Sequence, residues 1–85
     1  RDMTGEEAVK REMALVCVKA EPENKKKIQQ IITAFQGKIV DKGQQHYIFE
    51  VTGDELTVDA LLSELAPFGI KKLARSGVLA LYREP

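Results

Sequence analysis

Eighty-five residues with 13 basic and 13 acidic side chains make one small domain of zero formal charge. That balance excludes a global field steering the chain to nucleic acid or an anionic membrane. No apolar run approaches the roughly 20 residues that span a bilayer, and the single cysteine, Cys17, excludes a disulfide framework within the chain and fits a reducing compartment.

Residues 1–12 are charged and lack sustained periodicity, so they read as a linker. The chain begins at Arg1 rather than Met, which reads as a fragment of something longer, and nothing in residues 1–13 resembles a signal or transit peptide. Met13 to Val18 is an unbroken apolar run rich in β-branched side chains, the pattern of a strand buried on both faces. In "EPENKKKIQQIITAFQGK", Ile28, Ile31, Ile32 and Phe35 recur at i, i+3, i+4 and i+7. That spacing predicts an amphipathic helix, with Asn24 as N-cap and Gly37 as a left-handed C-terminal cap.

"KIVDKG" predicts a short strand, Gly43-Gln44-Gln45 a turn, and "HYIFEVT" a strand with Tyr47, Phe49 and Val51 on one face. The short connection makes the two strands an antiparallel hairpin. A second helix follows, with Val58, Leu61, Leu62 and Leu65 on its apolar stripe and Thr52 and Glu55 matching a capping box. Asp54, Glu55 and Asp59 lie near its start, where the helix dipole favours acids, and Pro67 and Gly69 end it. The final segment, "IKKLARSGVLALYR", is extended, with a bulge or break at Ser76-Gly77.

The order β-α-β-β-α-β predicts an α+β, ferredoxin-like sandwich over residues 13–83: a four-stranded antiparallel sheet with both helices on one face. Right-handed crossovers put the first and third strands in the middle. Leu15, Cys17 and Ile48 then point away from the helices. Burying such a side chain is worth ~1.5–3 kcal/mol, so an uncovered group of them marks an interface with another protein surface.

Chemistry on this chain finds little support. A zinc site wants about four ligands, and one histidine and one cysteine far apart in sequence do not supply them. Cys17 reads as a small buried hydrophobe and His46 as a turn-flanking polar residue. GxGxxG and P-loop patterns are absent. Lys25-Lys26-Lys27 in the first turn of a helix opposes the dipole and would suit an acidic partner, though a solvated lysine face explains it as well. The element order is shared with RNA-recognition modules, but "QHYIFEV" lacks the basic residue and glycine of their third-strand pattern.

The stretches "REMALVCVKA", "IVDKG", "FEVTGDE", "APFGIKKLARSG" and "VLALYR" together resemble the C-terminal domain of the small, regulatory subunit of acetolactate synthase, from about Lys10 to Arg83. "CVKAEPENKKK" departs from the family, which often has an arginine at the start of the first helix, and "DKGQQH" replaces a more hydrophobic hairpin. The resemblance implies a non-catalytic, ACT-like domain with no cofactor of its own. Thiamine diphosphate, magnesium and FAD would belong to the catalytic subunit. Its partners would be that subunit and a second copy of the chain, with no nucleic acid and no membrane.

Residues 1–12 would link to an N-terminal ACT domain that senses valine, and no valine-binding residue is assigned here. The setting would be a bacterial cytoplasm, or a plastid or mitochondrion in a eukaryote. Arg75-Ser76-Gly77 belongs to the family pattern. Arg75 suits a carboxylate of the partner, and Gly77 suits a bulge. The candidate interface is thus Leu15, Cys17, Ile48, Arg75, Ser76 and Gly77. The alternative is a small-molecule sensor for an amino acid or nucleotide, with Gly43 and Gly53 marking the turns to inspect.

Overall fold

A computed structural model describes residues 7–84. Its elements run β1 (Ala8–Lys19), α1 (Lys25–Ala34), β2 (Lys38–Lys42), β3 (His46–Gly53), α2 (Glu55–Leu65), β4 (Ile70–Arg75) and β5 (Leu79–Tyr82), with 3-10 turns at Pro22–Asn24 and Ala66–Phe68. The sheet is antiparallel in the order β2-β3-β1-β4, with β1 and β3 central as the crossover argument requires. The fold is ferredoxin-like α+β, and it carries a fifth strand that the sequence reading merged with the fourth. β5 pairs with the first residues of β1, Ala8 to Arg11.

One face of this sheet is the core. Ala14, Val16 and Val18 of β1 and Tyr47, Phe49 and Val51 of β3 are buried beneath Ile28 and Ile32 of α1 and Val58, Leu61 and Leu65 of α2. Alternation along the strands and i, i+3, i+4, i+7 spacing along the helices deliver both sets to one layer, as expected.

The ends of the elements differ from the sequence reading. β1 starts at Ala8, not Met13, so residues 8–12 of the expected linker are strand; residues 1–6 lie outside the described region. Charged side chains masked that strand, and one of them, Glu12, is buried at 5% exposure. Asn24 precedes α1 but makes no side-chain cap, because a 3-10 turn leads into the helix. At its other end, Gln36 adopts φ +60° while Gly37 does not. The amide of Gly37 donates to the Ile32 carbonyl at 2.8 Å and that of Gln36 to Thr33 at 2.9 Å, a Schellman closure. Gly37 is needed for space: a Cβ there would lie 2.8 Å from Ile32 Cγ2. The N-cap of α2 is Asp54, whose Oδ1 accepts from the Thr57 amide at 2.8 Å; Thr52 is still in β3.

Candidate functional site

The sheet has a second face, and among the described residues no helix covers it. Cross-strand partners share a face, so the registers place Leu15 beside Glu50 and Ala74, and Cys17 beside Ile48 and Lys72. Three of the residues singled out from sequence, Leu15, Cys17 and Ile48, therefore meet at the centre of one surface. Met13 and Leu15 are each 44% exposed, although both lie mid-strand in the most apolar stretch of the chain. Leu15, Cys17, Ile48, Ala74 and the stem of Lys72 line a shallow depression of about 540 Å³. The strand is thus buried on one face only by its own chain. Its other face is an apolar surface of the kind that marks association.

This surface continues past the helices. β1 is unbroken, so its odd-numbered residues from Val9 to Cys17 all point to the open side. Val9 pairs with Leu81 and Arg11 with Leu79. Leu79 and Leu81 are 72% and 79% exposed, and with Val9, Arg11 and Ala80 they border a second apolar depression. The β1–β5 ribbon is an arm of two strands, which in isolation is marginal in water.

The other three singled-out residues serve a different purpose. Arg75 lies opposite Ala14, on the helix side. Its Nε donates to Glu12 Oε1 at 2.8 Å, Nη2 donates to the same oxygen, and Nη1 donates to Asp59 Oδ1 at 2.7 Å. The hydrogen bonds that the guanidinium donates to Glu12 first, and to Asp59 second, hold its pKa above the ordinary value. The carboxylates expected from a partner are supplied by β1 and α2 of the same chain. This ion pair is also why Glu12 can be buried, and a reading that left Glu12 in a linker missed it. An acid two residues before Ala14, in phase with the buried alternation, was the available signal.

Ser76 and Gly77 make the break between β4 and β5. The Ser76 amide donates to the Met13 carbonyl at 2.9 Å, and Ser76 Oγ accepts from the Met13 amide at 2.9 Å, so one residue satisfies both backbone groups of Met13. Gly77 takes φ +80° in open space. Three steps along β1, from Arg11 to Ala14, face four on the other strand, from Leu79 back to Arg75. This is the bulge expected at Ser76-Gly77.

Elsewhere the candidates resolve into structure. His46 pairs with Lys19 at the end of β3. A Cβ at Gly43 would lie 2.9 Å from the His46 carbonyl oxygen, so the tight hairpin accounts for that glycine, while Gly53 ends β3 with Thr57 3.5 Å from where its Cβ would be. The Lys25 ammonium stands 6.0 Å from the centroid of the Tyr47 ring, and Lys26 and Lys27 are exposed. Among the described residues, no group of three or more His, Cys, Asp or Glu side chains is placed to hold a metal ion. Among the same residues, no helix is long and apolar enough to cross a membrane.

Comparison with known proteins gives this surface its context. The family model described as the small subunit of acetolactate synthase matches residues 11–84. The chain is 41% identical over 83 residues to acetolactate synthase small subunit 2, chloroplastic, of Arabidopsis thaliana, covering 98% of this chain and 17% of that protein. It is 37% identical over 82 residues to the acetolactate synthase small subunit of Bacillus subtilis, covering 96% of this chain and 48% of that one. A crystal structure of the acetolactate synthase small subunit from Thermotoga maritima superposes with a TM-score of 0.91 at 36% identity, over 99% of this chain and 52% of that one. The chain therefore spans about half the length of its prokaryotic relatives and less than a fifth of the plant one. With a helix-backed sheet, an uncovered apolar face and a family match over nearly its whole length, this chain belongs to the acetolactate synthase small subunit family, as the C-terminal domain of that regulatory subunit.

Proposed function

We propose that this domain is a non-catalytic module that associates with the acetolactate synthase catalytic subunit and raises its activity in branched-chain amino acid synthesis. The observation that carries the reading is the uncovered apolar face around Leu15, Cys17 and Ile48, in a chain whose relatives are named as subunits. A module whose central strand leaves one apolar face open is built to be completed by another protein surface. In this reading thiamine diphosphate, magnesium and FAD sit in the catalytic subunit. Valine is sensed by an N-terminal ACT domain of the regulatory subunit, and the chain pairs with a second copy of itself. Its compartment follows its host: the cytoplasm in a bacterium, the plastid in a plant, where one relative is named chloroplastic.

The test is acetolactate formation by a matched catalytic subunit, with and without this chain, each with and without valine. The expected result is a rise in rate that valine does not reverse. No rise with a chain shown by circular dichroism to be folded would remove activation from this domain.

A further inference from the structure

The sheet leaves a backbone edge open as well as a face, and we propose that the outer edge of β4 takes up an extended acidic and apolar segment of the catalytic subunit as a further strand. This rests on the reading of the domain as a partner of that subunit.

The order β2-β3-β1-β4 puts β4 at the rim, and among the described residues no strand pairs with its outer side. Its inner side pairs Ala14 with Arg75, Leu15 with Ala74, Val16 with Leu73 and Cys17 with Lys72. The Ser76 amide, next in that register, donates to the Met13 carbonyl at 2.9 Å. Bonding alternates along an antiparallel pair, so Ser76, Ala74 and Lys72 turn their backbone groups to β1, while Arg75 and Leu73 turn theirs outward. Their N–H and C=O groups are aimed away from the sheet, and that is the template an added strand completes. The far edge is built differently. β2 is interrupted by an extra residue at Val40 and carries Lys38, Asp41 and Lys42, charges of both signs in five residues. Bulges and mixed charges are devices that keep an edge unpaired.

The side chains of β4 select the occupant. Leu73 shares a face with buried Val16, yet it is 45% exposed at the rim. Lys72 lies on the other face beside Cys17, and Lys71 is the extra residue where the register shifts. Neither lysine has an ion-pair partner among the described residues. Successive residues of a strand face opposite ways, so the segment that fits alternates, with an apolar side chain beside Leu73 and a carboxylate beside Lys72. Cross-strand pairs of both kinds are favourable. The same charges exclude a second β4 at this seam: the strand holds Lys71, Lys72 and Arg75 and no acid, and like charges across a pair of strands repel. Arg75 contributes only its backbone, because its guanidinium is committed to Glu12 and Asp59.

The experiment measures amide hydrogen exchange, residue by residue, in the 85-residue chain alone and bound to a matched catalytic subunit. In the free chain Leu73 and Arg75 should exchange fast, and Lys72 and Ala74 slowly. With the subunit at about 100 times Kd, exchange at Leu73 and Arg75 should slow by up to about 100-fold, while Ile39 and Lys42 of β2 keep their free rates. Affinity is then compared among variants. Leu73→Pro removes an outward N–H that bonds nothing within the chain, a position where an edge strand tolerates proline. It should keep the circular dichroism of the wild type and bind more than about tenfold more weakly. Lys71→Glu with Lys72→Glu should weaken binding about tenfold. Lys26→Glu with Lys27→Glu, the same change of charge on α1, should leave it unaltered.

Unchanged exchange at Leu73 and Arg75 in the bound chain would overturn the inference and leave the regulatory reading standing. So would full-strength binding by a folded Leu73→Pro, or equal losses in the two lysine pairs, which would reduce Lys71 and Lys72 to protection of a free edge. No binding by a chain shown to be folded would sink both readings.

Discussion

The two faces of β1 are built from the same kinds of residue and meet opposite fates. Ala14, Val16 and Val18 are at most 1% exposed under the helices, while Met13 and Leu15, alternating with them, are each 44% exposed. The charges divide the same way. On the helix side Arg75 is committed to Glu12 and Asp59, whereas on the open side Glu50 and Lys72 have no ion-pair partner among the described residues. The lesson is that apolarity alone does not mark the inside of this domain. One face is finished by its own chain, in packing and in charge, and the other is left to be finished from outside.

Neighbouring residues on β3 give the largest contrast. Phe49 is fully buried and Ile48 points to the open face. Phe49→Ala should cost about 3–5 kcal/mol by cavity formation, which in a domain this small removes much of its stability. Ile48→Ala should cost under about 1 kcal/mol in the dilute chain, and more where the chain is associated, because binding adds to apparent stability by mass action. Urea titrations at low and high protein concentration separate the two. Equal losses at low concentration would break the comparison, since the open face would then be core.

Arg75 comes next. Arg75→Met leaves the Glu12 carboxylate buried without its cation, the situation in which a single replacement costs more than removing the pair. The thermal midpoint should fall by roughly 10 °C. The double replacement Glu12→Leu with Arg75→Met should recover more than half of that, as a double-mutant cycle read by calorimetry will show. Additive losses would mean that Arg75 acts elsewhere. Glu50→Gln on the open face should leave the midpoint of the dilute chain within about 2 °C, as surface replacements do.

These contrasts also show what the sequence makes legible. Period-3.6 stripes and the Tyr47–Phe49–Val51 alternation specify both helices and the hairpin, because burial enforces periodicity there. The open face was readable for the same reason inverted: Leu15, Cys17 and Ile48 are apolar at positions that two helices cannot reach. The first residues of β1 were not readable, because Lys10, Arg11 and Glu12 look like linker until β5 is brought alongside. The Arg75 pairing joins residues 63 positions apart, and no local pattern reports a contact of that separation. The caps failed differently. Several side chains near a helix start are competent to cap, and the bond goes to Asp54 because the chain turns there and not at Thr52.

Gly77 sharpens the boundary between the globular part and the arm. Its φ of +80° is unfavourable for any residue with a Cβ, yet a Cβ there would meet nothing within 4 Å. Gly77→Ala should therefore cost about 1 kcal/mol through backbone conformation alone. The loss should appear as faster amide exchange in β5 and the first residues of β1, with little change at Val16 or Phe49, since the bulge anchors only the arm to the sheet. Uniform loss of protection would show that arm and domain open as one unit.

The smallest effect belongs to Asp54, at the start of α2 on the finished side. Its pKa lies below the ordinary aspartate value of 3.8, chiefly because the Thr57 amide donates to the ionised carboxylate. A carboxylate whose folded pKa is depressed stabilises the fold fully above its unfolded value, and that contribution is lost as pH falls through the folded value. The charge of Asp54 therefore matters in neutral solution and fades below about pH 4. Asp54→Asn keeps an oxygen that can accept from Thr57 but removes the charge beside the helix N-terminus. It should lower the melting midpoint slightly at pH 7, and the gap should narrow as the pH falls below the ordinary aspartate value. A gap that stays constant as the pH is lowered through the acid range would assign the effect to cap geometry alone and remove the charge from the account of this helix.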